Sequence, residues 1–219
     1  MREARLFLVQ GGIPQQGAIP QAISQEVDDA TLVHKLIDQH PDAARLIWQR
    51  FAPMVHRILR RSFGPDEDVE DLAQEVFMCV FQKASTLREP QALKAFVITV
   101  TAFTVRGELR RRWSRRWLRR TGAVSGPGQL VFNQDIESRE ALRRFYLILD
   151  KVSVQDRTAF VLRFIEGMPL EDVAVALDVS VATAKRRLSR AWDRVVLLAE
   201  RDTALVDYLS GLQKDGACA

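Results

Sequence analysis

Leu170-Glu-Asp-Val-Ala-Val-Ala-Leu-Asp-Val-Ser-Val-Ala-Thr-Ala-Lys-Arg-Arg-Leu-Ser-Arg190 reads as two helices joined by a tight turn at Asp178-Val179, with Ser180 the natural N-cap of the second. Leu170, Val173, Ala174 and Leu177 make one apolar stripe at helical spacing, and Val181, Ala184, Leu188, Ala191 and Val195 make the facing one. Alanines at 174 and 184 let the helices approach closely. At about 100° per residue, Thr183, Arg186 and Arg190 point away from the second stripe, and Lys185, Arg187 and Arg194 flank it. A basic helix behind such a turn is the device that enters the major groove, where arginine contacts guanine and flanking bases hold phosphates. The same charges could instead solvate a surface helix; the turn and the preceding helix favour DNA.

Working outward, residues 140–152 and 154–166 keep helical spacing, with Ser153 a candidate cap and Gly167 an end. Residues 121–134 contain Gly122, Gly126, Pro127 and Gly128 and read as a linker. Eight arginines and one acid occupy residues 106–120, with Trp113 and Trp117 four apart. That block is either a solvated stretch or a surface for single-stranded bases and phosphates, which arginine and aromatic side chains bind. Just before it, Phe96 to Val105 is rich in β-branched residues, yet Phe96, Val100 and Phe103 keep helical spacing, and a helix is expected.

Residues 66–75 reverse the charge, with six acids and no base. Asp66-Glu-Asp68 is expected to cap a helix whose Val69, Leu72, Ala73, Val76, Phe77 and Val80 turn inward, leaving Glu70, Asp71, Gln74 and Glu75 on or near the other face. Two earlier helices carry Leu32, Val33, Leu36 and Ile37, then Leu46, Ile47, Phe51, Val55, Ile58 and Leu59, the second with an expected kink at Pro53. Residues 1–27 read as a flexible arm. The expected fold class is therefore all-α: a helical bundle over 28–120 and a helix-turn-helix domain over 137–200, joined by a flexible linker at 121–136 and followed by a tail at 201–219.

A hydrophobic fraction of 47% beside 27% charged residues supports real cores and argues against a disordered chain. The net charge of +4 is small, so its segregation is the better evidence: one acidic and two basic surfaces imply two kinds of partner. Cys79 and Cys218 form neither a CxxC pair nor a zinc-ligand spacing, which fits a reducing cytoplasm, and no metal or cofactor is expected. The apolar run at 95–105 is too short to span a membrane, and the apolar run near residue 1 is too short for a signal peptide and is interrupted by Gly11, Gly12 and Pro14. With no phosphate-binding Gly-rich loop, no GxSxG, no HExxH and histidines only at 34, 40 and 56, an enzyme is not expected.

Asp68-Val-Glu-Asp-Leu-Ala-Gln-Glu-Val-Phe77 resembles the polymerase-docking helix in region two of sigma-70 family factors. Arg157-Thr-Ala-Phe-Val-Leu-Arg-Phe-Ile-Glu-Gly-Met-Pro-Leu-Glu-Asp-Val173, with the helix after it, is similar to their region four. A short linker and no third region give the layout of the extracytoplasmic-function (ECF) group. The resemblance implies that Glu70, Asp71, Gln74 and Glu75 dock on the clamp helices of the largest subunit of core RNA polymerase. It implies that the helix-turn-helix, through Thr183, Lys185, Arg186, Arg187, Arg190 and Arg194, reads the duplex minus-thirty-five promoter element. The first domain is then expected to hold the unwound minus-ten strand, with Arg106, Arg110, Arg111 and Trp113 on bases and phosphates. Many members are held inactive by an anti-sigma factor, and that partner is expected here too. The sequence departs from the family at Thr99, Ala102 and Phe103, where members commonly carry Arg, Arg and Asn, so base readout on that helix must differ. A linker of 16 residues reaches about 50 Å; with domains about 30 Å across, both promoter elements are within reach. A stand-alone helix-turn-helix regulator is the alternative, and it leaves the acidic helix unexplained.

Overall fold

The computed structural model describes residues 28–64, 67–120 and 136–206. The arm at 1–27, nearly all of the linker and the tail beyond 206 lie outside the described residues. Among the described residues eight α-helices follow in order: α1 (Asp29–Ile37), α2 (Ala43–Phe63), α3 (Glu70–Lys83), α4 (Leu93–Arg120), α5 (Ile136–Leu149), α6 (Val154–Phe160), α7 (Leu170–Ala176) and α8 (Val181–Ala199). Among the described residues there is no strand, as the helical periodicities require.

Helices α1 to α4 close around one core. Ile47, Phe51 and Val55 of α2, Val76, Phe77 and Val80 of α3, and Val97, Val100, Val105 and Leu109 of α4 all lie in it. Trp48 seals one side with its ring centroid 4.3 Å from that of Phe77. The β-branched stretch before the arginines is helical throughout: its valines fill the core, and Thr101 turns its hydroxyl back to the Val97 carbonyl at 2.7 Å, so the buried polar group is satisfied. Helix α2 runs unbroken through Pro53, whose ring sits on the exposed side. The acidic helix is capped one residue differently from expectation. Val69 occupies the cap position, and Asp68 instead accepts the Glu70 N–H at 3.0 Å.

The second core joins α5, α6 and α8, where Phe160, Phe164 and Trp192 stack within 4.9–6.4 Å of one another. Ser153 caps α6 by accepting the Asp156 N–H at 3.2 Å, and Ser180 caps α8 by accepting the Thr183 N–H at 3.2 Å. Asp178, in the turn, adopts φ +52°, a conformation aspartate tolerates better than most residues. Two helix bounds differ from the sequence reading. Helix α5 begins at Ile136 and stops at Leu149, because bonds from Lys151 and Val152 to Ile148 and Leu149 tighten its end into a turn. Helix α6 is followed at Val161–Ile165 by a π-turn, closed by the Glu166 N–H on the Val161 carbonyl and ended by Gly167 at φ +72°. Beyond α8, Leu205 returns to this core and Asp202 pairs with Arg144 at 3.1 Å, contacts that no periodicity announced.

The two units touch. Ile58 of α2 and Ala102 of α4 share a buried cluster with Ala159, Leu162, Val173, Ala176, Leu177 and Leu188. At the C-terminus of α2, where helix geometry leaves carbonyls without partners, Arg61 receives the Tyr146 hydroxyl at 3.2 Å and Ser62 receives the Arg157 guanidinium at 2.6 Å. Arg157 is buried and also pairs with Asp150. Burial pushes the Tyr146 phenol up to about 12, so its hydroxyl stays a donor.

The Ser180 cap carries the start of the second helix of the turn. Ser180→Ala is expected to lower stability by about 1 kcal/mol, read as a shifted urea midpoint with unchanged slope, whereas Ser180→Asp restores the midpoint.

Candidate functional site

The acidic face of α3 forms as the spacing requires. With Val76, Phe77 and Val80 buried, Asp71, Gln74 and Glu75 stand exposed along one side. Two of the four candidate residues are already engaged. The His56 ring, held by the Ala52 carbonyl at 2.7 Å, reaches Glu70 at 3.1 Å, and Glu75 pairs with Arg111 of α4 at 3.3 Å. Met78 joins Asp71, Gln74, Glu75, Cys79 and Gln82 around a shallow hollow and is 62% exposed. The sequence reading passed over it; the available signal was its place three and four residues after Glu75 and Gln74, on the acidic side and not the apolar one.

On α4 the arginine block divides into structural and outward members. Glu108, the block's one acid, is largely buried and receives Arg111 at 3.2 Å, Arg112 at 2.9 Å and Arg115 at 2.7 Å. Arg112 also pairs with Glu67 at 2.9 Å and lies over the Phe63 ring at 4.5 Å, so its work is packing. Of the four candidates for strand binding, Arg110 is exposed, Trp113 is 64% exposed, and Arg111 divides itself between Glu75 and Glu108. Arg106 is different. It is half-buried, donates to the Leu177 carbonyl of the helix-turn-helix at 3.2 Å, and lies 5.9 Å over the ring of Phe103. Burial first, then Arg110 and Arg187 nearby, hold its guanidinium below the usual arginine range.

The basic face of α8 is largely open. Lys185, Arg186, Arg190 and Arg194 are exposed, while Thr183 and Arg187 are partly covered. Thr183 belongs to the cap: its hydroxyl meets that of Ser180 at 3.0 Å and accepts from Arg186 at 3.3 Å, which orients that guanidinium. Arg190 is tethered to Asp156 of α6 at 2.9 Å, an acid the sequence reading did not connect with it. Val181, expected in the buried stripe, is instead exposed, since it is the first residue of α8 and the preceding helix does not reach over it. The two basic faces come together at one point, where Arg187 lies near Arg106.

Among the described residues no three His, Cys, Asp or Glu side chains converge as a metal site, and no helix is long and apolar enough to cross a membrane. The family model for Sigma-70 region 2 matches residues 47–115, and that for Sigma-70, region 4 matches residues 142–194. The chain is 21% identical over 182 residues to the ECF RNA polymerase sigma-E factor of Escherichia coli, covering 79% of this chain and 95% of that one. Its fold is similar to CnrH solved in complex with the cytosolic domain of CnrY, with TM-score 0.56, 19% identity and coverage of 80% and 98%. It is also similar to the sigma factor RpoE in complex with the anti-sigma factor NepR from Bartonella quintana, with TM-score 0.54, 21% identity and coverage of 74% and 99%.

Removing the carboxylate beneath the arginines leaves three cations crowded on one helix. Because two of the three are more than half exposed, Glu108→Ala is expected to cost about 2 kcal/mol, less than the 3–5 kcal/mol of a fully buried pair. Added salt should return part of that loss in a denaturation series, whereas a packing defect would be indifferent to salt.

Proposed function

The chain belongs to the sigma-70 family, with the two-region layout of the ECF factors, and from that premise we propose how its surfaces divide the work. As a sigma factor it binds core RNA polymerase and directs promoter-specific transcription initiation. Residues 28–120 form the unit that holds polymerase and the minus-ten element, and 137–200 the unit that reads the minus-thirty-five element, with 121–136 spanning between them.

The exposed acidic side of α3 docks on the clamp helices of the largest polymerase subunit. Asp71 and Gln74 supply its polar contacts and Met78 an apolar one; Glu70 and Glu75 exchange their present partners, His56 and Arg111, for polymerase groups. Arg186 and Lys185 meet base edges and phosphates in the major groove, with Arg187, Arg190 and Arg194 at the flanks and Thr183 fixing Arg186. Arg110, Arg106, Arg111 and Trp113 hold the minus-ten strand, by charge and stacking in place of hydrogen bonds from residues 99, 102 and 103. The observation that carries this reading is the pairing of an exposed acidic helix with two basic ones in a single chain, inside two family regions in the family's order. A stand-alone duplex regulator would have no use for the acidic face. The chain acts by binding and not by catalysis, works in the cytoplasm beside the polymerase, and takes an anti-sigma factor as inhibitor.

Mixed with core RNA polymerase, the wild-type chain is expected to co-elute on gel filtration. Asp71→Arg with Glu75→Arg abolishes co-elution, both by reversing the face and by setting a cation beside Arg111, while leaving duplex DNA binding in place. Arg186→Ala does the reverse, weakening promoter duplex binding by about 1–3 kcal/mol with co-elution unchanged. Equal damage to both activities by both variants would show that the faces are not separate.

A further inference from the structure

Two neighbours on α4 are left unexplained by the fold. Phe103 keeps 66% of its surface exposed, in a helix whose valines are sealed in the core. Gly107 lies one turn further on. Glycine weakens a helix interior relative to almost any side chain, yet no side chain and no other element comes within 4 Å of where a Cβ would stand at this position. Nothing in the folded chain therefore needs the gap. Glycine in such a place lets something outside the chain approach the backbone closely.

The helix repeat puts Phe103, Gly107 and Arg110 on one face. They form a single row of exposed ring, bare backbone and exposed cation. Arg106 borders the row. Its guanidinium lies 5.9 Å over the Phe103 ring and is held there, donating to the Ala102 and Leu177 carbonyls at 3.3 and 3.2 Å with the Asp178 carboxylate nearby. It covers one face of the ring and leaves the other to solvent. Neutral hydrogen-bonding groups that could tell one base from another are missing here: the Thr99 hydroxyl turns back to the Ala95 carbonyl at 2.9 Å, and phenylalanine has none.

A flat apolar face, room against the backbone and a cation one turn beyond fit an unstacked nucleobase followed by its phosphate. A free phosphate would use the cation and not the ring; an apolar peptide side chain would use the ring and not the cation. Phe103 and Arg110 stand about 10 Å apart along the helix axis, a span that a long arginine side chain shortens by leaning back, as helical side chains do.

We propose that Phe103, Gly107 and Arg110 form a seat for one unstacked base of single-stranded DNA. The base lies on the open face of Phe103, its sugar passes over Gly107, and its phosphate meets Arg110. This deepens, and rests on, the reading of α4 as the strand-binding helix. The seat holds a base by its ring and not by its edge, so it tolerates any base at that position.

The test uses the full chain assembled with core RNA polymerase, core alone as the blank, and a pool of short fluorescein-labelled single strands of random sequence. Phe103→Leu keeps apolar bulk without the flat ring and is expected to weaken binding about tenfold, whereas Phe103→Tyr binds as the wild type does. Gly107→Ala separates binding from folding: it raises the urea midpoint of the free chain while weakening strand binding several-fold. With 5-iododeoxyuridine in place of thymidine, irradiation crosslinks the strand to Phe103. Wild-type affinity in Phe103→Leu or in Gly107→Ala, or crosslinks confined to Trp113, overturns the seat, while weakened binding in Arg110→Ala still keeps α4 as the strand-binding helix. A complex that holds the strand no better than core alone, or affinity unmoved by Arg110→Ala and Phe103→Leu alike, removes α4 from strand binding and the seat with it.

Discussion

Once Val97, Val100, Val105 and Leu109 are sealed into the first core, the direction of every other side chain on α4 is fixed by the helix repeat. That constraint places Arg111 and Arg112 against the acidic end of α3, where Glu75 and Glu67 meet them. It places Glu108 under its three arginines, turns Arg110 and Trp113 to solvent, and aims Ile98, Ala102 and Arg106 at the second unit. The acidic and basic surfaces are thus two sides of one packing solution. Moving α4 by a turn would misplace both.

The seam between the units balances unlike terms. Ile58, Ala102 and Leu177 contribute apolar burial, and the α2 carbonyls contribute hydrogen bonds that would otherwise go to water, which makes their net worth modest. Against them stand the desolvation of Arg157, Arg106 and Glu166 and the mutual repulsion of Arg106 and Arg187. Buried charges paired across a boundary confer a particular geometry more readily than they confer strength. Such a seam specifies how the units meet while leaving them separable, which the proposed reading of two promoter elements needs.

What could be read in the sequence is what depends on local spacing. The helix-turn-helix, its Ser180 cap, the acidic helix and the arginine block all follow from residues within a few turns of one another, and each lies where its periodicity put it. The helicity of the Phe96 to Val105 stretch followed once its spacing was preferred over its β-branched composition. Less legible were features set by distant partners. The tether of Arg190 to Asp156, the seat of Glu166 between Arg57 and Arg61, and the burial of Ala102 join residues 34 to 109 positions apart. No spacing rule reaches that far. The π-turn after α6 belongs with them, for it delivers Glu166 to α2, and the sequence of α6 alone reads as an ordinary helix.

The departure at position 102 then has a physical reason beyond tolerance. A long cation there would have to enter the buried apolar cluster that Ala102 shares with Leu162, Val173, Leu177 and Leu188, on the same helix face as Arg106. Its desolvation and bulk would both weigh against the contact between the units. Alanine removes that obstacle and lets α4 and α7 approach as closely as their backbones allow. On the proposed reading, the same alanine leaves α4 without a hydrogen-bonding side chain toward the strand at that position, so that charge from Arg106, Arg110 and Arg111 and the exposed ring of Trp113 would hold it. On that reading the contact between the units and the mode of strand binding are coupled through one methyl group: a long polar side chain at 102 would be expected to loosen the contact as it restored a reader.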